Sequence, residues 1–165
     1  MSDAAECTIR KHLRLVLDAA GPIRRSSRPL PAPAAFLVRH GRMWTSAPLP
    51  SGIPSGTRGE CYRNAFRLAT EHPGLSYAEG IALDPHLGVP LEHAWCVDTA
   101  RKVVDPTWER PECGSYYGVA FDLPTLNRIA LNTRIYGVFG MGEWKAAAEL
   151  LASDQQFASF FSEMR

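Results

Sequence analysis

The stretch Leu91-Glu92-His93-Ala94-Trp95-Cys96-Val97, followed by Asp98-Thr99-Ala100-Arg101 and then by Lys102-Val103-Val104-Asp105, decides the fold of this chain. Its first and third parts are rich in residues that favour strands, and the part between them is typical of a tight turn. Strands joined by so short a connection pair in antiparallel fashion, because a parallel crossover needs a much longer one. The sequence therefore predicts a β-hairpin.

The length of the turn decides which side chains of this hairpin can meet. If Asp98 pairs with Lys102 across a three-residue turn, Asp105 lies opposite Trp95. Asp105 is then diagonal to His93 on the same face, and diagonal neighbours are within reach of longer side chains. A turn of two or four residues would place the two side chains on opposite faces. The sequence permits this pairing and does not require it.

Further elements are predicted on both sides of the hairpin. Alternating apolar and polar residues predict strands at 77–83 and 116–121. Helical spacing predicts a helix at 7–20 with Ile9, Leu13, Val16 and Leu17, a short helix that begins at Cys61, one at 124–130, and one from Trp144 to about Glu163. Short connections between the strands indicate an α+β fold, with helices packed on an antiparallel sheet.

Composition and charge exclude several classes of partner. The chain has 18 basic and 17 acidic side chains, so nothing in its charge favours nucleic acid or a membrane surface. The N-terminus is polar, and no apolar stretch is long enough to be a signal peptide or to cross a bilayer. The four cysteines, at positions 7, 61, 96 and 113, form no CxxC pair. We expect a cytoplasmic protein with reduced thiols, and export by a route without a signal peptide stays open.

Three side chains in this pattern can perform nucleophilic chemistry. Cys61 is predicted at the start of a helix, after the loop Gly56-Thr57-Arg58-Gly59. Backbone N–H groups and the positive end of a helix stabilise a thiolate, and so does a nearby imidazolium such as that of His93. Asp105 directly follows two valines, and burying its carboxylate without a partner would be costly. The three residues are candidates for nucleophile, base and orienting acid.

The motifs around these residues resemble the transglutaminase-like superfamily of papain-like cysteine enzymes. They are Cys61-Tyr62-Arg63-Asn64-Ala65, Glu92-His93-Ala94-Trp95 and Val104-Asp105-Pro106-Thr107-Trp108, and Tyr77-Ala78-Glu79-Gly80 resembles the strand between the first two. The resemblance covers about residues 57–109. It implies a papain-like fold in which the nucleophile helix packs on an antiparallel sheet, with flanking N- and C-terminal helices.

The resemblance also implies a mechanism without cofactor or metal. Cys61 attacks an amide or ester carbonyl, His93 is the base and then the acid, and Asp105 holds the imidazole in the useful tautomer. Water as acceptor makes a peptidase, amidase or deamidase, and an amine makes a transglutaminase; the sequence does not choose among them. The expected partner is a protein or peptide substrate, and the sequence does not predict an oligomeric state.

The secondary parts of the site are less well defined. Trp44 and Asn64 are candidates for the oxyanion donor beside the backbone N–H of Cys61, and we expect Trp95 and Trp108 to pack in the core.

We expect one domain over 1–165, made of an N-terminal helix (1–21), a proline-rich arm (22–57), a catalytic core (58–123) and a helical C-terminal part (124–165). The arm is predicted to be irregular apart from Phe36-Leu37-Val38, and it either narrows access to the cleft or wraps the surface.

Two other interpretations stay open. His93, Cys96, Cys61 and Cys113 could be metal ligands, but zinc sites usually contain close pairs of Cys or His. His93 and Cys96 are three residues apart on a strand, so their side chains point to opposite faces. The second alternative is a non-catalytic module of the same fold that binds a peptide or protein in its cleft. A thiol of low pKa at Cys61 would distinguish an enzyme from such a module.

Overall fold

The computed structural model describes residues 2–19, 32–84, 86–139 and 144–163. Within these ranges the chain forms an antiparallel sheet with helices around it, which confirms the predicted α+β class. The helices are α1 (Ser2–Ala19), α2 (Pro33–His40), α3 (Cys61–Glu71), α4 (Leu123–Thr133), α5 (Trp144–Leu151), α6 (Ala158–Glu163) and a short 3-10 helix (Pro111–Cys113). The strands are β1 (Arg42–Trp44), β2 (Ser76–Leu83), β3 (Pro90–Val97), β4 (Val103–Val104) and β5 (Ser115–Phe121).

The strands lie in the order β1-β5-β2-β3-β4. All four strand pairs are antiparallel. The sheet is curled, since Thr45 just after β1 forms a bridge with Lys102 just before β4. The amide of Val103 donates to the carbonyl of Thr45 at 2.9 Å. The two edge strands therefore meet at one end of the sheet.

The central hairpin has the register that places Asp105 on the face of His93. Cys96 pairs with Val104 and Val97 pairs with Val103, as a three-residue turn requires. The turn is closed by a hydrogen bond from the amide of Asp98 to the carbonyl of Lys102 at 3.0 Å. Arg101 adopts a left-handed conformation with φ of 63°, which is usual for the last residue of such a three-residue loop.

Two clusters of buried side chains lie on opposite faces of the sheet. The larger one packs α1, α2, α3 and the C-terminal helices against the sheet, and it includes Tyr77 and Cys96. The smaller one lies inside the curl and contains Trp44, Trp95 and Tyr116. Because side chains alternate along a strand, His93 belongs to the face of Trp95 and not to that of Cys96.

The prediction of an irregular arm is wrong for its middle part, residues 33–44, and it agrees with the structure for residues 46–57, which form no helix or strand. Residues 22–31 lie outside the described residues. Residues 33–44 form α2 and β1, and β1 pairs with β5. Phe36 is fully buried and contacts the rings of Phe157 and Phe160. This part of the arm therefore belongs to the hydrophobic core. Farther along, Ser55 and Arg58 line a cleft.

The two terminal helical predictions are also corrected in detail. In α1, Ile9 and Leu13 are buried, but Val16 is 44% exposed. The C-terminal helix is split into α5 and α6 by a turn around Asp154. The Asp154 carboxylate accepts hydrogen bonds from the Thr125 hydroxyl at 2.9 Å and from the amide of Gln156 at 2.9 Å. These bonds compete with continuation of the helix.

Among the described residues, none of the helices is both long enough and apolar enough to cross a bilayer.

We predict that Gly118→Ala is destabilising, because the sheet has no room for a side chain there. A Cβ at this position would lie 2.8 Å from Cη2 of Trp95 and would also collide with the carbonyl oxygen of Glu79. Overpacking of this kind costs about 1–3 kcal/mol. The free energy of unfolding in urea measures the effect. Gly74→Ala is the matched control, since nothing lies within 4 Å of its Cβ position, and an equal loss in both variants would contradict the explanation.

Candidate active site

Cys61 is the first residue of α3 and lies at the end of the helix that faces a cleft. Its side chain is buried, with 8% exposed. Within the described residues the Glu60 side chain makes no cap hydrogen bond to the first turn of α3. The N–H groups of that turn therefore keep their partial positive charge available for an anion next to the sulfur.

Asn64 fixes the loop that leads to Cys61. Its side-chain amide donates to the carbonyl of Thr57 at 2.7 Å and to the hydroxyl of Thr107 at 3.1 Å. Its amide oxygen accepts from the backbone N–H of Thr57 at 3.2 Å. Gly56 is required beside it, since a Cβ there would lie 2.5 Å from Cγ of Asn64. Asn64 thus joins the arm, the nucleophile helix and the segment after Asp105.

His93 and Asp105 form a buried pair. His93 Nε2 donates to Asp105 Oδ2 at 2.8 Å, and the two residues are 4% and 0% exposed. The carboxylate receives two further hydrogen bonds. The backbone N–H of Thr107 donates to Oδ1 at 2.8 Å, and the hydroxyl of Tyr116 donates to Oδ2 at 3.0 Å. These three donors satisfy the hydrogen-bonding capacity that the carboxylate loses when it leaves water, and they offset the free-energy cost of its burial.

The short length of β4 explains how Cys61 and His93 can meet. β4 pairs with β3 only at Cys96 and Val97, so its pairing ends before the level of His93. The Cys96 thiol donates to the carbonyl of Ala65 at 3.2 Å, which packs α3 on the other face of the same strand. Cys61, one turn before Ala65, therefore reaches the edge of the sheet next to His93.

The Cys61 thiol acts on the imidazole from this position. Among the described contacts it makes no hydrogen bond of standard length and angle with His93, yet it is close enough to influence the pKa of His93. Catalytic hydrogen bonds are often long in free enzymes and tighten when substrate binds. Because Nε2 is occupied by Asp105, Nδ1 is the ring nitrogen that remains for the thiol.

The pKa of His93 is shifted strongly upward. Burial by itself lowers it, but the hydrogen bond to Asp105, the negative charge of that carboxylate and the nearby Cys61 sulfur outweigh burial. Together they raise the pKa of His93 from its ordinary value to about 9. The site therefore favours the protonated, imidazolium form of His93.

Aromatic rings surround the imidazole on the inner side of the curl. Trp108 stacks on His93 with ring centroids 4.5 Å apart and an interplanar angle of 21°. Trp95 and Tyr116 lie farther away, at 6.2 Å and 6.1 Å. Trp95 is fully buried, as expected. Trp108 is only partly buried and also lines the cleft, so the prediction that it only packs the core is incomplete.

The cleft above the thiol has a volume of about 650 Å³. Three segments form its walls: the end of the arm at 55–59, the β2–β3 connection with the start of β3, and residues 106–110. Cys61 and His93 lie in it together. The reactive atoms are thus accessible from one side, while Asp105 is shielded from water behind the imidazole.

The structure argues against both sequence candidates for the oxyanion donor. Trp44 Nε1 donates to the carbonyl of Gly118 at 3.1 Å inside the curl. The amide of Asn64 is used by Thr57 and Thr107. Neither side chain is among the residues that line the cleft in the described part of the chain. The backbone N–H of Cys61 remains the candidate donor.

The predicted alternative of a metal site receives no support from the placement of its residues. His93 is paired with Asp105, and the Cys96 thiol faces Ala65 on the other side of the sheet. Cys113 is exposed. Across the described ranges, no group of three or more His, Cys, Asp or Glu residues is placed to hold a metal ion.

Sequence reasoning missed one residue that supports the site and one buried carboxylate elsewhere in the fold. One is Tyr116, the second side chain on Asp105. The other is Glu79, which is 1% exposed and accepts from the Tyr77 hydroxyl at 2.7 Å and from the amides of Val138 and Phe139 at 2.7 and 2.8 Å. Burial raises the pKa of Glu79 to about 7 in spite of these bonds. A carboxylate inside an apolar run is the same signal that drew attention to Asp105.

We predict that Asp105→Asn lowers the pKa of His93, because it removes the negative charge that opposes the effect of burial. The imidazole of the unaltered protein should titrate near pH 9, and that of the variant well below it. NMR titration of the His93 ring protons measures both values. A group whose pKa rises on folding stabilises the protein at low pH and loses that contribution as pH rises. Stability should therefore fall between about pH 6.5, the ordinary histidine value, and pH 9, and less so in Asp105→Asn. Identical titrations in the two proteins would contradict this role of Asp105.

Tyr116→Phe should have the opposite effect on His93. The variant removes a donor that shares Oδ2 with the imidazole, so the carboxylate becomes a stronger partner for the imidazolium and the pKa of His93 rises. Loss of a hydrogen bond to a charged group should also cost about 1.5–3 kcal/mol of unfolding free energy. NMR titration and urea unfolding measure the two effects. Tyr117→Phe is the control, since that hydroxyl donates to the carbonyl of Leu37 at 3.2 Å and its loss should leave His93 unchanged. A pKa of His93 that falls in Tyr116→Phe would refute the shared-oxygen explanation.

Comparison with known proteins assigns the chain to no family. No protein-family model, curated protein or solved structure matches the chain. The roles of Cys61, His93 and Asp105 are therefore argued from their contacts and chemistry, and the resemblance to the transglutaminase-like superfamily stays a prediction from the sequence.

Proposed function

We propose that this protein is a cysteine-dependent acyl-transfer enzyme that acts on amide bonds. The observation that carries the proposal is the buried His93–Asp105 pair, with Nε2 and Oδ2 2.8 Å apart, next to a thiol at the first residue of a helix in an accessible cleft. A histidine whose second nitrogen is fixed by a buried carboxylate is the arrangement that activates a nucleophile.

The chemistry follows from the positions of these groups. His93 Nδ1 takes the proton of the Cys61 thiol, and the sulfur attacks the carbonyl carbon. Collapse of the tetrahedral intermediate breaks the C–N bond, and the imidazolium gives its proton to the departing amine. Water or a second amine then attacks the thioester carbon while His93 takes a proton from that nucleophile. The C–S bond breaks, the acid or new amide leaves, and His93 returns the proton to the sulfur.

Asp105 and Trp108 keep the imidazole in place during these steps. The carboxylate fixes the tautomer with the proton on Nε2, which leaves Nδ1 free to accept from the thiol. Trp108 stacks on the ring and limits its rotation. The backbone N–H of Cys61 would donate to the oxyanion, with the positive end of α3 behind it.

The papain-like fold and the transglutaminase-like family belong to this proposal. The supports are the order of the three motifs in the sequence and a nucleophile helix packed against antiparallel strands. Peptidase, deamidase and transglutaminase activity share the thioester. A transglutaminase resolves it with an amine, whereas a peptidase and a deamidase both use water and differ in the amide that is attacked and the amine that leaves.

We predict that Cys61 is the reactive thiol of the protein. At about pH 6, iodoacetamide should alkylate Cys61 much faster than the exposed Cys7 and Cys113, because an ordinary thiol is almost fully protonated there. His93→Ala should slow the reaction of Cys61 about 100-fold or more. Mass spectrometry of the labelled peptides measures each rate, and a Cys61 that reacts no faster than the exposed cysteines would rule out the proposal.

The same variants test catalysis. Incubation with protein and peptide mixtures, followed by intact-mass measurement, distinguishes cleavage, deamidation and addition of an amine. Cys61→Ala should abolish the reaction, and the double variant with His93→Ala should be no worse, since the residues act as one unit. Cys113→Ala is the control for a non-catalytic thiol and should keep full activity.

A further inference from the structure

Two exposed leucines line the cleft on the side of the β2–β3 connection. Leu87 in this connection is 65% exposed and Leu91 in β3 is 37% exposed. Both line the cleft that contains Cys61 and His93. Scattered apolar residues on a surface are ordinary, but two that line one cleft beside a reactive pair are typical of a binding site.

Strand geometry places Leu91 beside the imidazole. It lies two residues before His93 on β3, so its side chain projects from the same face of the sheet, about 7 Å along the strand. That distance is the span of about two residues in an extended peptide. A substrate whose carbonyl is at the sulfur would therefore bring a neighbouring side chain to Leu91.

The connection holds Leu87 in a defined position. The carboxylate of Asp84 accepts hydrogen bonds from the amides of His86 and Leu87 at 2.8 and 2.9 Å. The amide of Gly88 donates to the carbonyl of Asp84 at 2.9 Å, and Gly88 has a φ of 64°. The backbone amide of Leu87 is thus held by a hydrogen bond while its side chain is exposed, so a ligand that covers the side chain has less backbone to order.

The charged residues that line the cleft do not favour one class of substrate in the way that the two leucines do. Arg58 and Arg110 line the cleft, and so do Asp84, Glu92 and Glu109. Charges of both signs are present in nearly equal number, so the cleft has no field that would select an anionic or a cationic substrate over a neutral one.

The geometry points to a subsite for an apolar side chain of a peptide substrate, formed by Leu87 and Leu91 together with Trp108. The substrate class is a peptide or protein with a leucine-like or aromatic residue at or next to the reacting carbonyl. This inference rests on the proposed function, because it assumes that the carbonyl is presented to Cys61.

The experiment uses N-acetyl amino-acid chloromethyl ketones with the side chain of leucine, alanine, aspartate or lysine. The Cys61 sulfur displaces chloride and forms a thioether, and peptide mass spectrometry gives the rate. The measurement is made near pH 8.5, where an ordinary thiol also reacts, and each rate is divided by that of the same compound with free cysteine. The preference among the probes is then independent of whether Cys61 is an activated nucleophile.

The leucine compound should react about tenfold faster than the alanine compound, and faster than both charged ones. Leu87→Ser combined with Leu91→Ser should remove this preference. The variant should fold normally, since both side chains are partly in water. Val89→Ser is the matched control: Val89 is 44% exposed in the same connection, but it is not among the described residues that line the cleft, so the preference should remain.

Three outcomes would overturn the subsite. They are equal rates for the leucine and alanine compounds, a preference for a charged compound, and a preference that survives in the double variant. Sedimentation equilibrium of the double variant adds a fourth: loss of a dimer with an unchanged preference would make these leucines a contact between two copies of the chain. Slow alkylation of Cys61 by iodoacetamide near pH 6 contradicts only the proposed enzyme.

Discussion

The site depends on the burial of one carboxylate. Asp105 is fully buried, and an ionised group in that position is tolerated only when its oxygens are hydrogen-bonded and a positive charge lies nearby. His93, Tyr116 and the amide of Thr107 meet this need. Each of these partners has to be held in place, and much of the surrounding structure does so: the hairpin register positions His93, β5 positions Tyr116, and Asn64 holds Thr107.

The curl of the sheet provides the enclosed space that this carboxylate needs. The bridge from Thr45 to Lys102 brings the two edges together, and Trp95 and Tyr116 fill the interior. Because Gly118 lacks a side chain, Trp95 can pack against β5. Among the described residues, the side where β4 ends is left open, and there α3 meets His93. A longer β4 would cover the imidazole and separate it from Cys61.

The sequence predicted the parts of this arrangement that depend on local spacing. The hairpin was expected, and the carboxylate after two valines marked Asp105. The register was left open, since the sequence permitted the three-residue turn that the structure contains but did not require it. The parts that depend on distant segments were not predictable. Tyr116 faces Asp105 because of the pairing between β2 and β5, and the break after α5 depends on the contact of Asp154 with Thr125. The arm was predicted to be irregular because its many prolines argue against regular structure. It nevertheless contains a short helix whose Phe36 is buried in the core.

The site divides into a rigid half and an adaptable half. His93 and Asp105 lie on or directly after strands of the sheet and are shielded from water, so their geometry changes only if the fold changes. The residues that a substrate would meet, such as Leu87, Arg58 and Glu109, lie outside the regular elements and are exposed. Loop residues can be replaced at little cost to stability. In the proposed enzyme, substitutions in the loops would therefore alter which acyl group is accepted and leave the acid–base chemistry of His93 unchanged. A proposed change of substrate would have to leave the thiol, the imidazole and the carboxylate in the same relative positions. The sheet holds them in these positions independently of the loops.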